Sequence, residues 1–557
     1  MKSWLTKNSF ILLILTLVFV LRIPAVTDGL PAVYNPTEYF LLKIAMSMGA
    51  RISPDPLFYV YPPFFSYLLV ALYGGFYLFG QFFGIFPDRE AFAVEFLVSP
   101  DNFYIIGRCL SLIFMLLTVL VTYKYVARYR GETPARFAAG LTAAILTCME
   151  FSASVTPEML LLFWSTLVVL YYLPLREQPK PARIFIAGLL AGLATGTKYN
   201  AGFLTIGLFI FVVQHRKTIS CTLSKGLAIA AGGMLAGFFI PNFHILLASD
   251  AYLTGLFGLL EQMYYAPTIS RNPGFAVLLQ QLIGRELILG LIFIIVMFYF
   301  LTTRVREYLH LLAPLFLTFI IVMTWSKTGL DYLLPVYPIW IFLTAQYISD
   351  HMPGFQWQRI LYLIIFLPSV FMQGVTTIRW IKADTREQAT EWLMNTLETG
   401  DRICYDQSHY DLGLYDIKRF TEYGAGAAIL PDKIKQRLEV YGTSRRQVSF
   451  VPIMFEACPS APSGYLGEYI RYERKTFDRL LAENVTYLIT NDRFYDLYLP
   501  ADPVDYAKEI RPRIVSVKQF YRKLSAFEPV VRFEPDFWHN GPELAIYQFK
   551  NSGAAGE

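Results

Sequence analysis

A succession of apolar runs constrains this chain more than any other feature, because the basic residues between them fall at every second connection. The runs are Phe10–Leu21, Phe103–Ala127, Phe137–Glu150, Pro157–Leu173, Ile184–Thr197, Ala201–Val213, Gly226–Leu247, Leu287–Thr303, Leu309–Trp325, Leu333–Ser349 and Ile360–Ile378. A membrane span needs roughly 20 residues, so the shorter runs must borrow flanking ones, and the pattern predicts about 11 transmembrane helices. With the N-terminus cytoplasmic, the clusters Lys124/Arg128/Arg130/Arg136, Arg176/Lys180/Arg183, Arg216/Lys217/Lys225, Arg304/Arg306 and Arg359 all fall in cytoplasmic connections. That is the asymmetry the positive-inside rule requires. An odd number of spans then puts the C-terminal segment on the other side of the cell membrane.

The first run follows Lys2 and Lys7, as a signal peptide would. No small-residue cleavage site follows cleanly, so it reads as an uncleaved first span. Two long connections face the outside, about 27–102 and about 249–286. The first holds an aromatic-rich apolar stretch, Phe64–Phe86. Counting it as a span would invert every later connection, so it reads as an interfacial helix.

Charge separates the two parts of the chain. Of its 91 Asp, Glu, Lys and Arg residues, 49 lie after Ile381. The division predicts a helical membrane domain over residues 1–380 and an extracytoplasmic soluble domain over 381–557. Only 16% of the whole chain is charged, against roughly 25% in soluble domains. This excludes a soluble enzyme, a disordered chain and a nucleic-acid binder. In the polar part, Asp384–Leu397 reads as an amphipathic helix and Phe477–Glu483 as another. Arg402–Tyr405 and Val485–Thr490 read as strands, so the domain is of α/β type. No glycine-rich phosphate loop precedes a helix there.

The five cysteines form no metal-binding motif. Cys404 and Cys458 are a candidate pair if the polar domain faces an oxidising space. His244 reads as an interfacial residue rather than a ligand. Asn484-Val485-Thr486 matches a glycosylation sequon but overlaps a predicted strand.

Ionisable residues beside a membrane are costly and mark functional candidates. They collect on the outer side: Glu38 after Pro36, Tyr61 before Pro62-Pro63, Arg108, Glu158 after Pro157, Lys198, Arg271, Lys327, and Asp331 before Tyr332. A carboxylate here can take a proton from an attacking hydroxyl. Lys or Arg can hold a phosphate leaving group. A phosphate-bearing membrane substrate fits this layout, and so does an ion or solute pathway.

The order of motifs resembles a known family. A short first span and an acidic motif in a large outer loop lead to Tyr61-Pro62-Pro63. Gly107-Arg108, Pro157-Glu158, Gly196-Thr197-Lys198-Tyr199-Asn200, Tyr332–Pro335 with Tyr337-Pro338, and Asp384-Thr385-Arg386 follow. This is similar to the GT-C superfamily of polytopic glycosyltransferases, in the branch of protein O-mannosyltransferases and lipid A aminoarabinose transferases. The resemblance implies a helical membrane domain with an outer soluble domain. It also implies inverting transfer of a sugar from a polyprenyl-phosphate donor to a protein, lipid or glycan acceptor outside the cytoplasm.

By the same resemblance, Glu38 and Glu158 are candidate catalytic carboxylates, and Lys198, Lys327 and Arg108 candidate ligands of the donor phosphate. Tyr61, Asp331, Tyr332 and Arg271 are further substrate-site candidates. Parts of the superfamily use a divalent metal, but no ligand cluster stands in this sequence. One departure matters: the family's usual Asp-Glu pair in the first loop reads Thr37-Glu38 here. The rival readings are a non-catalytic relative that binds lipid-linked sugar and a transporter or flippase.

Overall fold

The computed structural model describes residues 2–30, 33–265, 274–325, 328–351, 355–398, 401–405, 436–437, 449–450, 477–482, 484–492 and 511–549. Lys327, Arg271 and Cys458 lie outside them, and so does any Cys404–Cys458 pairing.

The predicted runs are helical, in places with shifted ends, and three of them are broken. The helices Lys2–Arg22, Asp101–Arg130, Glu158–Glu177, Val305–Met323 and Phe355–Ile381 carry long apolar segments. Among the described residues, six segments have the length and composition to cross a membrane, and four shorter apolar helices accompany them. The chain is a polytopic helical membrane protein with a strand-containing C-terminal domain.

Three expected runs break. Phe137–Glu150 divides into Glu132–Ala144 and Thr147–Phe151, where Ile145 turns extended. Gly226–Leu247 ends its α-helix at Phe239 and continues as a short 3-10 turn, Phe243–Leu246. Leu333–Ser349 is a 3-10 segment, Leu330–Val336, followed by the helix Tyr337–His351. Prolines explain the last two. Pro241 follows Ile240, and Pro335 and Pro338 cannot supply the N–H groups that a continuous helix needs.

The sixth spanning candidate is Phe64–Phe82 in the first loop. Its start receives Asn242 Oδ1 on the Phe64 N–H at 2.8 Å. Further along, Tyr73 donates to the Phe103 carbonyl at 3.1 Å, and Phe76 meets the Phe103 ring at 5.5 Å. Both contacts lie at helix ends of one level: the first turn of Asp101–Arg130 and the segment just past Leu223–Phe239. The helix thus contacts the start of one bundle helix and the end of another.

Small residues allow the closest helix packing. Gly188 and Gly192 of Pro181–Thr195 lie against Gly233 and Gly237 of Leu223–Phe239. A Cβ at Gly192 would collide with the Met234 carbonyl, and one at Gly237 with the Leu189 carbonyl. Small residues four apart on each helix let membrane backbones approach this way. Arg22, fully buried at the end of the first helix, donates to Gln373 Oε1 and the Ala143 carbonyl, both at 3.1 Å. It ties the first helix to Glu132–Ala144 and Phe355–Ile381.

Among the described residues, the C-terminal part holds a five-stranded sheet: β1 Arg402–Tyr405, β2 Ser449–Phe450, β3 Tyr487–Asn491, β4 Val531–Phe533 and β5 Leu544–Gln548, in the order β2-β1-β3-β5-β4. β1 runs parallel to β2 and β3, whereas β5 is antiparallel to β3 and β4. Side chains alternate between faces. Ile403, Tyr487, Ile489 and Ile546 pack on Ala389, Leu393 and Leu397, from the Thr385–Thr396 helix and its C-terminal cap. Cys404, Leu488 and Tyr547 face Leu480, Val517 and Tyr521, from the helices Phe477–Ala482 and Arg511–Leu524. The helix expected over Asp384–Leu397 is thus present, with Asp384 as its N-cap.

Candidate functional site

The sequence candidates that are described gather at one end of the bundle, in two clusters. In the first, Glu38 lies in the opening turn of Pro36–Arg51, where Asn35 caps the helix through the Thr37 N–H at 3.0 Å. Arg108 lies two turns into Asp101–Arg130. Its Nε and Nη2 grip the Glu38 carboxylate at 3.0 and 2.8 Å. Its Nη1 donates to the carbonyls of Ala25, Val26 and Asp28 at 3.4, 3.1 and 2.7 Å. The Val155 N–H adds a third bond to Glu38, at 2.6 Å. Glu38 is 1% exposed and Arg108 4%. Both groups are therefore saturated, and the pair locks the first loop to the bundle.

The second cluster centres on Lys198, in the turn between Pro181–Thr195 and the 3-10 segment Tyr199–Gly202. Its Nζ lies 3.0 Å from Glu158 Oε1, 3.7 Å from Asp331 Oδ2 and 5.0 Å from the Tyr332 ring centroid. Burial disfavours the ammonium, but the charges of Glu158 and Asp331 outweigh it and hold Lys198 protonated well above the usual lysine range. Burial pushes the Asp331 carboxyl up, partly offset by Lys198. The Tyr61 hydroxyl belongs to this neighbourhood too: burial raises it, with the charges of Lys198, Glu158 and Asp331 acting on it.

Residues outside the catalytic and phosphate-binding candidates hold this turn in place, Asn242 and Tyr59 among them not singled out in the sequence. Asn242 Nδ2 donates to the Gly196 and Phe238 carbonyls at 3.1 and 2.8 Å, while its Oδ1 receives Phe64. Tyr199 donates to the Tyr59 carbonyl at 3.1 Å, and the Tyr59 hydroxyl meets His244 Nδ1 at 2.8 Å. Asn200 Nδ2 donates to the Tyr332 carbonyl at 2.8 Å. The signal available in the sequence was Pro241-Asn242, a polar residue where a helix must stop. Around Lys198, Glu158 Oε2, Thr156 Oγ1 and Asn200 Oδ1 are buried without a hydrogen-bond partner among the described residues. Buried polar atoms are rarely left so.

The segment Ser154–Glu158 joins the clusters, since Val155 binds Glu38 and Glu158 binds Lys198. Three residues of chain span at most ~11 Å, so the clusters are neighbours. Beside the first opens a cavity of about 1100 Å³. Its walls include Asp28, Glu38 and Arg108 from the first loop and the Asp101–Arg130 helix, Glu150 and Arg285 from the bundle end, and Asp384 and Arg386 beside the C-terminal domain. Asn540 and Gly541 of that domain complete it. Asp384 is gripped by Arg386 at 2.7 and 2.8 Å. Arg285 pairs with Glu150. Arg386 also lies 3.3 Å from the Tyr34 ring centroid, and Tyr34 donates to Glu387 at 3.4 Å, so the first loop and the C-terminal domain meet here. Among the described residues, no group of three or more His, Cys, Asp or Glu is placed to hold a metal ion.

Residues 104–244 match the sequence model of the dolichyl-phosphate-mannose-protein mannosyltransferase family, a stretch short of half the chain. No curated protein matches the chain. Among solved structures, ArnT from Cupriavidus metallidurans in its apo state is similar over 98% of this chain and 98% of its own, at TM-score 0.54 and 12% identity. The same protein bound to undecaprenyl phosphate is similar over 99% of each chain, at TM-score 0.51 and 13% identity. At this identity the likeness establishes the fold over the full length.

Proposed function

We propose that this chain, which has the fold of the GT-C polytopic glycosyltransferases, moves a sugar from a polyprenyl-phosphate donor to an acceptor outside the cytoplasm, with inversion at the anomeric carbon. The observation that carries this reading is the Lys198 cluster: a buried, protonated lysine whose neighbours include polar atoms with no hydrogen-bond partner among the described residues, one short stretch of chain from the Glu38–Arg108 cluster and its carboxylate-lined cavity. A buried cation in a water-poor site stabilises developing phosphate charge far better than a solvated one. The structural relative bound to undecaprenyl phosphate supports a lipid phosphate as its ligand.

In this scheme Lys198 contacts the phosphate and Glu158 and Asp331 hold the lysine in place. Glu38 and Arg108 fix the first loop over the cavity. Lys327 and Arg271 remain candidates for further positive charge against the donor, and Tyr61 and Tyr332 for walls of the sugar site. The acceptor is a protein hydroxyl, a lipid or a glycan. The membrane arrangement is the one the basic clusters favour: about 11 crossings of the cell membrane, a cytoplasmic N-terminus and an outer C-terminal domain beginning near residue 381. The Phe64–Phe82 helix lies along the outer face.

The test uses membranes containing the full chain and a panel of labelled polyprenyl-phosphate sugars. Release of lipid phosphate by the natural chain, abolished in Lys198→Ala and reduced in Glu158→Gln, is the expected result. Release that is indifferent to Lys198→Ala overturns the site. A second reading, donor binding without turnover, is favoured by Thr37 standing where the family's usual aspartate would be and by the saturation of Glu38. Tight donor binding with no release would select it.

A further inference from the structure

Among the described residues, four carboxylates line the cavity, and three are already engaged. Glu38 has both oxygens on Arg108 and a third bond from Val155. Glu150 is paired with Arg285 and Asp384 with Arg386. Asp28 alone differs: among the described residues its carboxylate makes no ion pair and accepts no hydrogen bond, yet it lines the same space. Its backbone is held firmly, since the Asp28 carbonyl accepts Arg108 Nη1 at 2.7 Å. The turn that presents it depends on Gly29 at φ 66°, where a Cβ would also strike the Tyr34 ring. Among the described residues the side chain is unpaired while its backbone is fixed, the arrangement a reacting group needs.

We infer that Asp28 is the general base of the transfer, taking the proton of the acceptor hydroxyl inside the cavity between the first loop and the C-terminal domain. The inference rests on the glycosyltransferase reading above. It supplies the carboxylate that Thr37 withholds, from nine residues earlier in the same loop.

The step balances. The acceptor oxygen forms a bond to the anomeric carbon as the bond from that carbon to the phosphate oxygen breaks. The acceptor proton passes to the Asp28 carboxylate, and the bonding pair leaves on the lipid phosphate, facing Lys198. Asp28 then returns the proton to water.

The charged groups facing Asp28 are Arg108 from the Asp101–Arg130 helix and Asp384, Arg386 and Glu387 from the start of the Thr385–Thr396 helix. Burial and the two acidic neighbours, opposed by the two arginines, push its carboxyl up to about 7. A base near the working pH is the efficient one. Asp28 must be ionised to act, so the rate rises with pH through about 7 and levels above it.

The experiment compares the full chain with Asp28→Asn and Asp28→Glu in membranes, reading donor binding, lipid-phosphate release and its pH profile. Neither variant alters the carbonyl that holds Arg108. We expect Asp28→Asn to bind donor as the natural chain does while release falls about 10²–10⁴-fold, the usual contribution of a general base. Asp28→Glu should recover part of the rate and shift the pH limb. Release by Asp28→Asn within a few-fold of the natural chain, or an unshifted limb in Asp28→Glu, overturns the assignment and leaves the transferase reading intact. Loss of donor binding in both variants also overturns it, since the residue would then act in binding. A natural chain that binds every donor and releases nothing removes the transferase reading and this assignment together.

Discussion

At the scale of single residues, the strongest local constraint is the Glu38–Arg108 pair. Two charges at a membrane face, each under a twentieth exposed, persist only because every polar atom of the pair has a partner. Removing one member strands the other, at a cost of about 3–5 kcal/mol. Arg108→Met should therefore lower the thermal unfolding midpoint of the detergent-solubilised protein more than Glu38→Gln does. The double variant should recover part of the loss. Equal, additive losses would show that the two residues are not coupled. Both residues were legible in the sequence as ionisable groups near the membrane. Their mutual engagement was not, because Glu38 and Arg108 stand 70 positions apart and spacing says nothing about which distant helix ends meet. The same limit hid Asp28, which the order of motifs does not single out and which only the cavity brings beside Arg108 and Asp384.

At the scale of elements, the turn carrying Lys198 is only as well placed as the helix leading into it. Pro181–Thr195 lies against Leu223–Phe239 with glycines on both sides of the contact. Gly192→Ala forces a methyl into the Met234 carbonyl, and overpacking of this kind costs about 1–3 kcal/mol. The expected result is a lower unfolding midpoint and weaker donor binding, because the Lys198 turn moves with the helix. Unchanged stability together with unchanged donor binding would refute the packing argument. Gly232 faces open space, so Gly232→Ala serves as the control and should be silent. The apolar runs predicted these helices well. The breaks at Ile145, Pro241 and Pro335 were less legible, because hydropathy averages over a break that only backbone hydrogen bonding resolves. Those breaks matter most, since the 3-10 segment Leu330–Val336 carries Asp331 and Tyr332 to Lys198.

At the scale of the whole molecule, the candidate residues and the C-terminal domain share one end of the bundle, through Tyr34–Glu387 and the cavity walls. The basic clusters lie at the opposite helix ends. In a cysteine-free background of the full chain, single cysteines at Lys217 and at Trp538 should therefore label oppositely with an impermeant thiol reagent on intact cells. Trp538 should react and Lys217 should not. Labelling of both, or the reverse, would overturn the orientation. The division of charge after Ile381 anticipated a separate polar region. It could not anticipate that this region would close the cavity beside the first loop, since that contact depends on tertiary docking and leaves no local pattern.

Turnover at the Lys198 site is tested by counting catalytic cycles. The purified full chain would be reconstituted in lipid vesicles with a panel of polyprenyl-phosphate sugars in excess and an envelope extract as acceptor source. Lipid phosphate released per protein would then be measured. Many releases per chain are expected for at least one donor, none for Lys198→Ala, and a rate that climbs with pH through about 7. Donor bound at one per chain, with no phosphate released for any sugar at any pH, would contradict turnover at this site.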